Sequence, residues 1–278
     1  MPGRASSAGR SAVLGSSVAY GPELALAIEL AHRAGGIQME RYERLEKIEA
    51  KGPRDVVTEV DHLCEALVMN AVRERYPADA FYAEEIGEVA AADGANSGRV
   101  WIVDPLDGTV NYANGIPFFC ISIALAEAGR PVAGVVYDPT RDETFAGAID
   151  GPSLRNGLPI SVGTKDKLED LVATLAVGGR GTVRKRREAL TRIRAHRSMG
   201  SSALTLSYVA CGRFDIYAQS AGLSAWDVAA AGLIATRAGA TVTSLEGGPW
   251  FDLARPAKKW SCLAAAPDHH RAILEILK

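Results

Sequence analysis

The chain has 278 residues, 47% of them hydrophobic, enough to bury a large core without disulfides or metals holding the fold together. Its 31 Lys and Arg stand against 33 Asp and Glu, a formal charge of −2, which leaves no global attraction for nucleic acid or anionic membranes. Cys64, Cys120, Cys211 and Cys262 are scattered without a C-x-x-C pair and read as reduced thiols of a cytoplasmic protein, and no apolar run approaches the roughly 18 residues of a membrane span.

Residues 1–21, rich in Ser, Gly and Ala, read as a flexible tail, with a targeting segment as the alternative. A first helix is expected after Pro22, with Leu24, Ile28 and Ala31 on one stripe, extending towards Tyr42 until the stretch 47–54 breaks it. A second helix opens at Thr58-Glu-Val-Asp61, where Thr58-x-x-Asp61 fits a capping box, and ends by Pro77. Residues 80–83 form a short apolar run that ends in Glu84-Glu85 and breaks at Gly87. Residues 100–103 read as a buried strand running into a turn forced by Pro105 and Gly108. Apolar runs at 118–127, 131–137 and 144–149, split by Gly129-Arg130 and Asp138-Pro139, predict antiparallel strands.

Beyond Gly157 the pattern becomes α/β. Strands are expected at 171–177, near 214–218, and at 240–244 and 262–266. Helices are expected at 183–194, which is very basic, at 201–209, from Asp227 to Gly239 with Asp227 as its opening cap, and at the C-terminus. With no internal repeat and no long linker, the chain reads as two subdomains sharing a cleft, about 22–150 and 151–278, in a mixed α+β and α/β fold.

The chemistry concentrates where elements end in acids. Asp104 and Asp107 sit at the mouth of the 100–103 strand, and the turn can also offer the Leu106 carbonyl, so the set is all oxygen, as a hard cation such as Mg2+ requires. Taken alone, the pattern fits an ordinary surface turn equally well. Glu84 and Asp227 add acidic element ends from distant parts of the sequence. None of the five histidines forms a catalytic set, and no nucleophile elbow, Walker loop or dinucleotide fingerprint is present.

Two stretches, Trp101-Ile-Val-Asp-Pro-Leu-Asp-Gly-Thr-Val-Asn111 and Trp226-Asp227-Val-Ala-Ala-Ala-Gly232 followed by Arg237-Ala-Gly-Ala240, resemble the paired signatures of the inositol monophosphatase family. These are Mg2+-dependent, Li+-sensitive phosphatases related in fold to fructose-1,6-bisphosphatase, and the resemblance runs over about 22–278. It implies a layered αβαβα sandwich, a homodimer, inhibition by Li+, and two or three Mg2+ ions per site. By residue-wise match, Asp104 bridges two ions, with Glu84 and the Leu106 carbonyl on one side and Asp107 and Asp227 on the other. A third ion is implied beside Glu84 and near Asp61, under a loop carrying Lys51 and Asp55. Such paired cations, about 4 Å apart, clamp the attacking and leaving oxygens of an in-line displacement. The resemblance gives Thr109 and Glu84 the task of orienting the nucleophilic water.

Backbone N–H groups of Gly108 and Thr109 are placed to hold phosphate oxygens at a helix start. Asp107, Asp227, Ser202 and Ser220 complete the implied substrate contacts. Ser220 stands where family members acting on inositol phosphates commonly carry a glutamate, seven residues before Asp227. The expected reaction is hydrolysis of a small polyol phosphate, inositol 1-phosphate foremost, with histidinol phosphate, fructose 1,6-bisphosphate and 3′-phosphoadenosine 5′-phosphate as rivals. The basic stretch 180–197, from Arg180 to Arg197, reads as a solvated helix face. It leaves open a second-phosphate contact, or a non-enzymatic regulatory role in binding RNA or protein.

Overall fold

The computed structural model describes residues 19–44, 48–52, 55–90, 97–178 and 182–278. Most of the expected tail, the Lys51 and Asp55 side chains and Arg180 lie outside the described residues.

In chain order the elements are α1 Gly21–Arg41, β1 Ile48–Gly52, β2 Asp55–Thr58, α2 Glu59–Arg75, β3 Ala80–Ala83, β4 Gly87–Val89, β5 Arg99–Asp107, α3 Thr109–Ala113, β6 Cys120–Glu127, β7 Arg130–Asp138, β8 Glu143–Ala148, β9 Leu154–Arg155 and β10 Leu158–Pro159. There follow β11 Val172–Ala176, α4 Thr182–Arg192, β12 Ala195–His196, α5 Ser202–Ala210, β13 Ile216–Leu223, α6 Ala225–Arg237, β14 Thr241–Thr243, β15 Trp260–Ala265 and α7 Pro267–Leu277. An eight-stranded sheet runs in the order β10-β9-β8-β7-β6-β5-β3-β4, and a five-stranded sheet in the order β12-β11-β13-β15-β14. The first sheet therefore continues to Pro159, past residue 150.

The layers follow from which faces are apolar. Pro22 sits in the first turn of α1, where its missing N–H is not needed. Leu24, Ala27, Leu30, Ala31 and Ala34 then face the first sheet, while Ile28, expected on the stripe, is only half-buried. With Val60, Cys64 and Val68 of α2 they cover one face of that sheet. On its other face lie α5 and α6, built almost wholly of small and aliphatic residues. Apart from Ser202, Asp227 and the last turn of α6, both helices are buried because the second sheet covers them in turn. The outer face of the second sheet packs on Ala189 of α4 and on Ile273 and Leu277 of α7. The result is the αβαβα sandwich.

Close approach fixes the middle layer against the first sheet: a Cβ added to Gly134 of β7 would lie 2.8 Å from Ala230 Cα. The first helix ends at Arg41, ahead of the stretch expected to break it, and that stretch carries β1, which runs antiparallel to β2. Neither strand has a long apolar run to announce it. The 100–103 strand extends through Asp107, because pairing with β6 resumes at Asp107↔Cys120 after an irregularity that begins at Asp104.

Candidate active site

Strands β3 and β5 are parallel neighbours with Ala83 opposite Val103, and the Glu84 N–H donates to the Val103 carbonyl at 3.2 Å. Glu84 and Asp104 thus leave the carboxyl ends of adjacent parallel strands side by side, the edge at which mixed sheets present residues to ligands. The turn after Asp104 is held from several directions. Leu106 N–H donates to Asp104 Oδ1 at 3.1 Å, and buried Gln38 of α1 donates to the Pro105 carbonyl at 2.8 Å. Gly108 has φ +99°, and a Cβ there would lie 3.0 Å from the Phe118 carbonyl oxygen, so the turn requires glycine. Gly108 caps α3; Thr109 is its first residue, and its hydroxyl donates to the Leu106 carbonyl at 2.9 Å.

Helix α6 brings the third acid. The sequence places Asp227 as the cap, but the helix begins at Ala225 with Ser224 as the cap. Ser224 and Asp227 form a reciprocal capping box, which satisfies two helix-start donors where a lone Asp cap satisfies one. The Ser224 N–H donates to Asp227 Oδ2 at 2.5 Å. Ligand-capable oxygens of Asp104, Asp107 and Asp227 then lie within 4.8 Å of one another.

Asp104 is 2% exposed, and burial, then the charges of Glu84, Asp107 and Asp227, push its carboxyl well above the usual range. Burial and then the Asp107 charge do the same to Asp227, against a smaller opposing pull from Lys258. Carboxylates that crowd one another out of water are stabilised by a divalent cation held among them, and an all-oxygen donor set fits a hard one. Asp104, Asp107, Asp227, Glu84 and the Leu106 carbonyl are the groups available to hold it.

Asp107 reaches across to α5. Its carboxylate accepts from Ser201 Oγ at 2.6 Å, Ala203 N–H at 2.6 Å and Ser202 N–H at 3.2 Å. Burial pushes its pKa up, and these donors pull it back. Ser202 meets the site through its backbone N–H. Asp61 completes its capping box through Oδ2, accepting from Thr58 N–H at 2.8 Å, and turns Oδ1 to the Thr109 hydroxyl at 3.4 Å. The capping-box reading of Asp61 therefore holds, with its second oxygen turned to Thr109. Ser220 exchanges hydrogen bonds with the Gly178 backbone, accepting at 3.0 Å and donating at 3.2 Å, so its hydroxyl is already engaged.

Two supporting residues escape the sequence reading. Glu65 of α2, 3% exposed, accepts the Glu85 and Ile86 N–H groups at 2.8 and 3.1 Å and so pins the turn that carries Glu84. A signal was available: Asp61 and Glu65 lie one helical turn apart on the same buried stripe as Val60, Cys64 and Val68. Ser201 had no such signal, because its partner is 94 residues away.

The basic segment is partly neutralised by its surroundings. Arg192 pairs with Glu188 at 2.9 Å, Arg194 with Asp170, and Arg186 donates to the Leu175 carbonyl at 3.1 Å. Among the described residues, no helix is long and apolar enough to cross a membrane.

Comparison with known proteins agrees with this geometry. The profile of the inositol monophosphatase family matches residues 21–278. Inositol monophosphatase 3 of Solanum lycopersicum is 39% identical over 238 residues, spanning 83% of this chain and 88% of that protein. The Nus factor SuhB of Pasteurella multocida is 36% identical over 265 residues, 92% of this chain and 94% of its own. The crystal structure of the extragenic suppressor protein suhB from Bartonella henselae superposes with a TM-score of 0.84 at 31% identity, covering 92% of this chain and 98% of that one. The chain belongs to the inositol monophosphatase family, and is a phosphatase of that metal-dependent family.

Proposed function

We propose that this protein hydrolyses a small polyol phosphate, inositol 1-phosphate foremost, with Mg2+ held by Asp104, Asp107, Asp227, Glu84 and the Leu106 carbonyl. The observation that carries the reading is the trio of buried Asp104 and Asp107 with half-buried Asp227, whose oxygens converge within 4.8 Å. Bound there, the cations supply charge neutralisation for the phosphoryl oxygens and lower the pKa of water. The chain's own residues do the rest. Thr109, tied to Leu106 and facing Asp61, and Glu84, on the strand end beside Asp104, are set to orient the attacking water. The Gly108 and Thr109 N–H groups would hold phosphate oxygens where glycine lets the backbone come close. A third ion beside Glu84 and Asp61 belongs to the same reading, as do Li+ sensitivity and a cytoplasmic homodimer, and these rest on family membership.

The alcohol side is set by Ser202 and Ser220. Because Ser220 is short and bonded to Gly178, the pocket has no charged acceptor at that position for a polyol hydroxyl. Phosphate release from inositol 1-phosphate, histidinol phosphate, fructose 1,6-bisphosphate and 3′-phosphoadenosine 5′-phosphate, with Mg2+ and with chelator, tests the proposal. Inositol 1-phosphate should be turned over fastest, and only with Mg2+; no Mg2+-dependent release from any of the four would overturn it. Ser220→Glu should raise the rate on inositol 1-phosphate relative to the other esters by about three- to tenfold, the value of one added hydrogen bond. Unchanged relative rates would remove this position from the alcohol pocket.

A further inference from the structure

We infer that Ser201 is a positioning residue, whose hydroxyl aims one chosen oxygen of Asp107 into the metal pocket. The inference rests on the reading of Asp107 as a cation ligand. A carboxylate oxygen has two lone pairs. Asp107 Oδ2 receives Ser201 Oγ and Ala203 N–H, each at 2.6 Å, with the buried Cys120 Sγ a further 3.8 Å contact. Its acceptor capacity is filled from the α5 side. Among the described residues Oδ1 receives the longer Ser202 N–H bond, at 3.2 Å, and keeps a lone pair for a cation.

Ser201 is itself held in one orientation. It caps α5, with the Leu204 N–H donating to its oxygen at 3.3 Å, so its single proton is left for Asp107. The approach to Ser201 is also clamped: Asn111 Nδ2 donates to the Met199 carbonyl at 2.8 Å, and Gly200 adopts φ +79° with Asn111 so close that a Cβ would lie 2.8 Å from it. One hydroxyl thereby joins the start of α5 to the end of β5, and fixes the rotation of the acid shared between them.

The test needs Mn2+ alone as probe. Calorimetric Mn2+ titration of the wild type, Ser201→Ala, Ser201→Gly and Ser201→Thr reads affinity without substrate, so it decides the role of Ser201 even where no ester is hydrolysed. Glycine caps helices nearly as well as serine, which separates loss of the hydroxyl from loss of the helix start. Ser201→Ala and Ser201→Gly should each weaken Mn2+ binding by about tenfold, as loss of a partner behind a metal ligand typically does, while Ser201→Thr stays within about threefold of wild type. In turnover, the Mg2+ needed for half-maximal rate should rise by the same factor, with the ester KM at saturating Mg2+ unmoved. Wild-type Mn2+ affinity in Ser201→Gly, or a loss in Ser201→Thr equal to that in Ser201→Ala, would overturn the inference.

Discussion

The two most charged regions of this molecule are treated in opposite ways. Around buried Asp104 the chain gathers acids and leaves their repulsion standing, so the carboxyls of Asp104 and Asp227 are pushed towards their protonated forms. Along α4 and the turn after it, the chain leaves the arginines in solvent or hands them acceptors one at a time, such as Glu188 for Arg192. Charge density along a sequence therefore says little by itself. Like charges buried against one another mark a candidate site, because folding had to overcome a cost that protonation or a bound cation relieves.

The sharpest way to break this contrast is Asp104→Asn. It should lower phosphate release more than about a hundredfold, beyond what a partner behind a ligand costs, while the metal-free protein melts at a higher temperature than wild type. Near-normal turnover, or a lower melting point, would show that Asp104 is not a strained ligand. The pH dependence carries the same sign. Asp104 and Asp227 bind protons more tightly folded than unfolded, so in chelator stability should fall as pH rises above the ordinary aspartate value of 3.8 towards the raised folded values. Mg2+ should flatten that slope, and so should Asp104→Asn. Melting curves from about pH 4 to about pH 8, with chelator and with Mg2+, measure it.

Glu65→Gln should act at one remove. The amide can accept one of the two backbone N–H groups of Glu85 and Ile86 but turns its own NH2 on the other, loosening the turn below Glu84. A fall in kcat of about tenfold with an unchanged melting profile is expected. The smallest effect tests the other region: exposed Arg184 and Arg187, changed together to Ala, should shift stability by less than about 0.5 kcal/mol and leave turnover within about twofold. A large loss of turnover would instead bring α4 into substrate binding.

What could be read in the sequence follows from distance along the chain. The strand into Asp104, the turn at Gly108 and the small-residue run after Asp227 are local patterns, and local sterics and periodicity specify them. The layer order came from the resemblance of the two signature stretches to a known family, and the small-residue run of α6 packed between the two sheets agrees with it. The support around the acids was not. The Ser201–Asp107 bond joins residues 94 apart, and Ser224 was hidden as a cap because Asp227 is an equally good cap by composition. Glu65 looked like any helix glutamate until its stripe was seen to be buried. The β1–β2 pair lacked the alternation that announces strands.

The contact of Gly134 with Ala230 has a bearing on how such an enzyme can diversify. With β7 backbone laid directly on α6 and Gly134 leaving no room for even a methyl group, the helix that begins beside Asp227 cannot slide along its axis to suit a new alcohol. New substrate preferences must come from the rim, at segments such as those of Gly178 and Ser220. The hydrolytic centre stays in register while its clientele changes.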